Sequence, residues 1–264
     1  MKTWIKVILI VAAVMAGLGI LLTGISLILG GAEYDGPASG SGSEQVMAAP
    51  REENRYEVTE NIREISVEWV SGDVLLETWE GDALVLEETS SRPISEKNRL
   101  VYRVEDGELE IEYLDGFRLF STGKLQSKAL KVLIPEAMAP GLQEVSVEAV
   151  SSDVEVSGLE LRSLETNTVS GNISCRNVTV EELDVETVSG SFTGDFAVCP
   201  REMEFESVSG DVTVGLPEGS DLSLDRDGVS GDFRCDLPTR PGAANQMKMS
   251  TVSGTLEVHL TEAP

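Results

Sequence analysis

The sequence predicts an all-β fold: a solenoid of stacked coils of about 20 residues each, preceded by one N-terminal transmembrane helix. Three observations predict it. A tripeptide recurs at near-constant spacing, apolar residues alternate with period 2 on both sides of each copy, and one long apolar run near the N-terminus lacks any charge.

The tripeptide is Val-Ser-Gly or a near copy, beginning at Val70, Val150 (as Val-Ser-Ser), Val169, Val188, Val208, Val229 and Val252. The last six are separated by 19, 19, 20, 21 and 23 residues, and the first gap of 80 residues is about four periods. After each tripeptide the apolar residues fall two, four and six places beyond the glycine, as in Val212, Val214 and Leu216 or Leu256, Val258 and Leu260. This is the period of a half-buried strand. Before the tripeptide the alternation runs on odd places, as in Leu183, Val185 and Thr187 or Met203, Phe205 and Ser207. The parity slips across the tripeptide, so a straight strand would turn every later side chain to the wrong face and the chain must corner there. Glycine lacks a Cβ and suits such a corner, which makes Gly72, Gly171, Gly190, Gly210, Gly231 and Gly254 the predicted corner residues. Each unit is then strand, corner, strand and turn, and buries its apolar face only by stacking on its neighbours.

The elements follow in order. Residues 1–6 are a short cytoplasmic N-terminus and residues 7–29 an uncharged span, long enough to cross a hydrocarbon core of ~30 Å. Lys2 and Lys6 precede it while Glu33 and Asp35 follow, so the positive-inside bias leaves the remainder outside the cell membrane. The lipid bilayer is the partner of residues 7–29. Residues 30–55 are rich in Gly, Ser, Ala and charge and read as a flexible tether. The solenoid takes residues 56–264, with regular repeats over 141–264 and degenerate coils over 56–140. Strand-like runs remain in the degenerate part at Ala83–Thr89, Leu100–Val104, Leu109–Leu114 and Ala129–Ile134, with Asp106-Gly107 as a hairpin signal and an irregular loop at about 115–127. A separate small sheet domain is the alternative for this stretch. The last repeat ends at Leu260, which leaves a terminal strand in need of edge protection.

Composition sets limits on function. The 264 residues carry 46 acidic and 20 basic side chains, a net charge of −26 that excludes a general nucleic-acid binder. Three cysteines form no disulfide framework, and the single histidine, His259, argues against His-based zinc or base chemistry. All the acids and all but two of the bases lie beyond the span, so the exterior is strongly acidic.

With its lone anchor, acidic exterior and units such as Glu-Thr-Val-Ser-Gly-Ser-Phe and Glu-Ser-Val-Ser-Gly-Asp-Val, the chain resembles the bacterial putative-adhesin family, a domain-of-unknown-function group of envelope proteins. The resemblance covers about residues 60–260 and implies a right-handed parallel β-helix-like stack. It also implies adhesion or modulation of envelope-stress signalling, with no catalytic residue. Only the corner glycines carry over, and Ser152 departs from the pattern.

Candidate chemistry is sparse. Cys175 and Cys235 each stand four places after a corner glycine, in one inward column three coils apart; at about 4.8 Å per coil that is roughly 14 Å, beyond a disulfide. They read as core thiols, with Cys199 at a strand end. The residues after the corners, Asp73, Asp153, Asn172, Ser191, Asp211, Asp232 and Thr255, would stack into an outward ladder. Such a ladder suits either turn capping or Ca²⁺, and capping is the simpler reading. Asp225, Asp227 and Gly228 resemble a calcium-loop fragment in which Arg234 takes the place of the bidentate Glu. Arg234 between Asp232 and Asp236 would suit a sugar-acting enzyme on a β-helix, yet reads as a solvated strand face. Ser121 and Lys124 have the spacing of a serine acylation motif without its companions. No catalytic, cofactor or metal residue is therefore assigned. The expected function is a single-pass, extracytoplasmic, non-enzymatic module that binds a cell-envelope protein or surface ligand. A regulatory or sensing subunit in envelope-stress signalling is the rival.

Overall fold

The computed structural model describes residues 52–114 and 126–261; the predicted cytoplasmic end, the span at 7–29 and the tether up to residue 51 lie outside the described residues. No helix among the described residues is long and apolar enough to cross a membrane.

Alternating sequences become paired strands. In chain order these are β1 (Glu52–Val58), β2 (Glu64–Ser71), β3 (Val74–Trp79), β4 (Leu84–Ser90), β5 (Val101–Glu105), β6 (Glu108–Glu112), β7 (Ala129–Pro135), β8 (Glu144–Ser151), β9 (Val154–Ser157) and β10 (Glu160–Ser170). They continue as β11 (Ile173–Arg176), β12 (Thr179–Ser189), β13 (Phe192–Asp195), β14 (Glu202–Ser209), β15 (Val212–Leu216), β16 (Leu222–Ser230), β17 (Phe233–Cys235), β18 (Asn245–Ser253) and β19 (Leu256–Leu260). The strand before each tripeptide joins a nine-stranded sheet and the strand after it a ten-stranded sheet, so each coil contributes one long and one short strand. We call these the long-strand and short-strand sheets. The pairings between coils are parallel and in register with the repeat, for example Val185↔Phe205 and Phe192↔Val212.

The core lies between the sheets. One inward column runs Val67, Val147, Thr166, Val185, Phe205 and Met249, facing Val74, Val154, Ile173, Phe192, Val212 and Leu256. Phe192 and Phe205 meet across the gap with ring centroids 5.1 Å apart. Burying a side chain of this size contributes about 1.5–3 kcal/mol.

At the corners the glycines form a ladder. A Cβ on Gly171 would stand 1.9 Å from the Ser152 carbonyl oxygen, one on Gly190 1.9 Å from that of Gly171, one on Gly210 1.7 Å from that of Gly190, and one on Gly254 2.0 Å from that of Gly210. Gly231 faces the Gly254 oxygen at 1.8 Å, and Gly72, at φ +99°, the Lys128 oxygen at 2.2 Å. At these glycines the stacked backbones approach too closely for any side chain. Ser152 occupies the equivalent place after β8 and is itself buried.

The ladder also shows that the last two coils are exchanged in space. β18 pairs with β14 on one side and β16 on the other, and β19 lies between β15 and β17. The C-terminal strand is therefore interior, contrary to the expectation that it ends the stack. The reason is in β16, which places Arg226 and Gly228 opposite Met249 and Thr251, where inner coils carry apolar or hydroxyl side chains. Such a strand cannot be sandwiched, whereas Met247 and Met249 of β18 fill the columns and are 1% exposed. Arg226 stacks on the Phe233 ring at 4.5 Å, and a charge in an inward column blunts the open edge.

The N-terminal end also departs from sequence order. The 80-residue gap is not four stacked coils: Trp69 pairs directly with Ala149 and Ser71 with Ser151. The intervening chain forms one coil, β6 with β7, on the far side of β2 and β3. It is capped by antiparallel β5, β4 and β1, which extend the same two sheets rather than making a separate domain. The turn Asp106-Gly107 joins β5 to β6 with φ of 51° and 89°, as its sequence signals. β1 begins inside the stretch read as tether. Its charged residues pair with β4 as an edge strand does, Arg55 meeting Glu87 at 2.5 Å, and such charge hides the alternation.

Beneath this cap lies a buried ion pair that sequence gave no sign of. Lys128, 1% exposed, donates from Nζ to Glu88 Oε1 (2.6 Å) and to the carbonyls of Asn98 (2.8 Å) and Tyr113 (2.5 Å). Glu88, 0% exposed, also accepts from the Leu100 N–H (2.9 Å) and Asn54 Nδ2 (3.1 Å). Burial pulls the Lys128 ammonium down from its ordinary pKa while Glu88 opposes the shift.

Two stability predictions follow from these contacts. Gly190→Ala should cost more than about 3 kcal/mol in urea unfolding, because backbone rather than a flexible side chain must yield, while Gly141→Ala, with open space around it, should stay within about 0.5 kcal/mol. Lys128→Met leaves Glu88 as an uncompensated buried charge and should lose about 3–5 kcal/mol in the same measurement.

Candidate functional site

The outer faces of the two sheets differ in charge. On the short-strand sheet, acids meet bases across strands: Lys131 with Glu77 (2.7 Å), Arg176 with Glu155 (3.3 Å) and Arg234 with Glu257 (3.4 Å). On the long-strand sheet, one outward column near the turns is likewise paired, Arg162 with Glu144 (3.2 Å) and Arg201 with Glu182 and Glu202. The two columns beside it are mostly acidic and carry one base, Lys248. One runs Glu110, Ser66, Ser146, Glu165, Asp184, Glu204, Lys248 and Asp225, and the next runs Glu112, Glu68, Glu148, Asn167, Glu186, Glu206, Ser250 and Asp227.

Among the described residues, cations of the chain meet this acidic face only towards its two ends. Arg103 on β5 binds Glu110 (3.0 Å) and Glu112, and Lys248 on β18 binds Glu204 and lies 3.9 Å from Glu206. Among the described residues no cation pairs with Glu148, Glu165, Asp184 or Glu186. Glu148 Oε2, Asn167 Oδ1, Asp184 Oδ1, Glu186 Oε2 and Glu206 Oε2 are shielded from solvent without a hydrogen-bond partner. Asn167 is 2% exposed and spends its Nδ2 on Glu165 Oε1 (2.8 Å). The tripeptide valines supply the shielding: Val169, Val188, Val208 and Val252 continue the outward alternation and pack as a second, half-buried apolar stripe outside the core.

Burial, then neighbouring carboxylates, raises these acids. Asp184 is pushed up to about 6, with Glu204, Glu165 and Glu206 adding to burial and Lys248 opposing. Glu186 is pushed up to about 7, with Asp184, Glu206, Glu165 and Glu204 adding to burial. Glu68, Glu148 and Glu206 shift in the same direction, burial leading in each. The signal was present in sequence as acid-x-(acid or Asn)-x-Val before three successive Ser-Gly pairs: Glu165, Asn167, Val169; Asp184, Glu186, Val188; Glu204, Glu206, Val208.

Of the singled-out residues that are described, Asp225 and Asp227 end the two acidic columns and the others lie elsewhere. The post-corner residues do stack, and their oxygens accept the backbone N–H of the adjoining coil: Asn172 N–H to Asp153 Oδ1 (2.7 Å), Ser191 to Asn172 Oδ1 (3.2 Å), Asp211 to Ser191 Oγ (3.4 Å) and Thr255 to Asp211 Oδ1 (2.8 Å). They cap between coils rather than within a turn. Asp225, Asp227 and Gly228 sit in the extended strand β16, not in a calcium loop. Arg234 binds Asp236 (3.2 Å) as well as Glu257 on an exposed strand face. His259 faces Asp195 Oδ1 at 3.2 Å. Ser121 and Lys124 lie outside the described residues.

Cys175 and Cys235 share a column but are separated by Gly194, Val214 and Val258, four strand steps or about 19 Å. The predicted three-coil separation fails because β19 is inserted. Cys175, Cys199 and Cys235 are all free, and burial pushes the Cys175 thiol up to about 12.

The acidic face has a pH signature. For Asp184 and Glu186 the folded pKa values exceed the unfolded ones, so the folded state holds protons more tightly. The associated stability is full below about pH 4 and is lost as pH rises through 6 to 7. After solvent screening of half-exposed groups, about 1 kcal/mol should be lost by pH 8, lowering Tm by about 2–4 °C relative to the same pair replaced by Asn and Gln. Thermal melts of both proteins across this range check it.

The sequence matches the family described as Toastrack DUF4097 over residues 43–259. No curated protein sequence matches the chain. Among solved structures, a putative adhesin from Bacteroides fragilis is similar with a TM-score of 0.50 at 16% identity, covering 79% of this chain and 97% of that one. A putative cell adhesion protein from Clostridium sporogenes has a TM-score of 0.47 at 12% identity, covering 80% of this chain and 100% of that one. At these identities the likeness concerns the fold. The chain, with its stacked parallel coils and corner tripeptides, belongs to the Toastrack DUF4097 family.

Proposed function

We propose that this chain is a non-enzymatic, adhesin-like interaction module, held outside the cell membrane by residues 7–29 and binding an envelope component through the outer face of its long-strand sheet. The observation that carries this reading is the contrast between the two faces. Acids of the short-strand face and of the column near the turns meet the chain's own bases, whereas the centre of the long-strand face keeps shielded oxygens without a hydrogen-bond partner. Unpaired buried polar atoms are costly, and a surface that retains them is suited to an outside partner.

Three further points support it. The uncharged span with Lys2 and Lys6 before it supports anchoring with the solenoid outside. The cysteines, His259 and the Arg234 cluster offer no nucleophile and base in contact. The similar Bacteroides fragilis structure bears the description of a putative adhesin. A right-handed wind agrees with the general chirality of parallel crossovers. The sensing-subunit reading would use the same face, since its carboxyls titrate near neutrality.

Photo-cross-linking in intact cells tests the reading. A photoreactive residue at Ser146, on the long-strand face, should capture a protein or glycan of the envelope, while one at Thr193, on the short-strand face, should capture far less. Recovery of lipid alone from both positions would sink it.

A further inference from the structure

Resting on the reading of the chain as an interaction module, we propose that the long-strand face over β8 to β14 docks a lysine-bearing polypeptide segment, with an ammonium seated among Glu148, Asn167, Asp184 and Glu186. The argument begins with what the protein does at the ends of this face. Lys248 reaches Glu204 and Glu206 from a neighbouring strand, and Arg103 reaches Glu110 and Glu112. The lattice of carboxylates, spaced by the ~4.8 Å between strands, therefore accepts cationic side chains where the chain supplies them. Between these ends, three strands offer the same lattice with no cation among the described residues.

Asn167 marks the centre of that gap. It pairs in register with Glu148 on one side and Glu186 on the other, is 2% exposed, and leaves its Oδ1 without a donor. A neutral acceptor beside several anionic ones is a donor-poor site, and an ammonium brings three donors and no acceptor. The choice of lysine over a bare ion follows from the valine stripe. Val169 and Val188 lie one outward place beyond Asn167 and Glu186, so an aliphatic stem can cover apolar surface while its head reaches the carboxylates. A small hydrated cation gains nothing from that stripe, and no grouping of acids with metal-ligand geometry occurs among the described residues. Seating a cation also discharges the protons that crowding holds on this face. The groups facing Glu186 are Asp184, Glu206, Glu165 and Glu204, all acidic, with Lys248 acting on the neighbouring Asp184 and Glu206.

The test uses the full chain in nonionic detergent and a fluorescent octalysine peptide as probe. Octalysine should bind, and Asp184→Asn with Glu186→Gln should weaken it about tenfold or more, equivalent to about 1.4 kcal/mol. Glu136→Gln with Glu218→Gln, which makes the same change in net charge at other sites, should weaken it less than about twofold. Calorimetry near pH 7 should show binding heats that depend on buffer ionisation, and the first pair should abolish that dependence. Thermal melts guard against misfolding, since the first pair should be at least as stable as the parent. Equal weakening by both pairs, or no binding of octalysine, overturns the proposal, as does displacement of octalysine by calcium chloride at matched ionic strength. If cells yield a cross-linked partner from another face while octalysine fails, this docking site falls and the interaction-module reading stands; no partner from any face removes both.

Discussion

The backbone of one coil rests directly on the backbone of the next at the corner, and the rest of the molecule is arranged around that contact. Each corner glycine points the place of its missing Cβ at a carbonyl oxygen about 2 Å away in the adjoining coil. A side chain at any of the glycine rungs would push two coils apart and break the register of both sheets. With the ladder closed, inward side chains meet as continuous columns, and the post-corner Asp, Asn and Ser residues can cap the N–H of the neighbouring coil. The alternation that runs up to the corner leaves Val169, Val188, Val208 and Val252 outward, on the edge of the acidic face.

The two ends of the stack show what happens when a coil cannot continue the columns. At the C-terminal end, β16 brings Arg226 and Gly228 to inward places, so it is set outermost and a later coil fills the interior. At the N-terminal end, antiparallel strands turn the stack back on itself over the Glu88–Lys128 pair. A buried pair of this kind adds little net stability compared with apolar packing, while loss of either partner leaves the other charged and buried. Neither end presents a long, regular, apolar edge, and growth of the sheets into other chains is discouraged at both.

The long-strand face combines two demands that usually conflict. Acids on outward places keep the strands soluble, yet stacking in register places like charges about 4.8 Å apart across coils. The short-strand face relieves this with cross-strand bases. The centre of the long-strand face does not, and the shielding valines intensify the effect by removing water. The result is that burial and crowding raise Asp184 to about 6 and Glu186 to about 7, beside shielded oxygens that lack donors.

Much of the fold was legible because its information is local and periodic. The strand-corner-strand unit, the inward parity of Val185, Phe205 and Val214, and the Asp106-Gly107 turn all depend on residues close in sequence. The acidic columns were half legible: their spacing was visible, but unpaired charge becomes apparent only when strands are aligned and the positions of Lys248 and Arg103 are known. Tertiary structure alone decided the order of the coils, the adjacency of Val70 and Val150 across 80 residues, the burial of Lys128 against Glu88, and the separation of Cys175 from Cys235. The physical reason is that a repeat specifies how one coil fits another but not which one. That choice belongs to the side chains that fail to repeat, Arg226, Gly228, Met249 and Lys128, whose consequences exist only where coils meet.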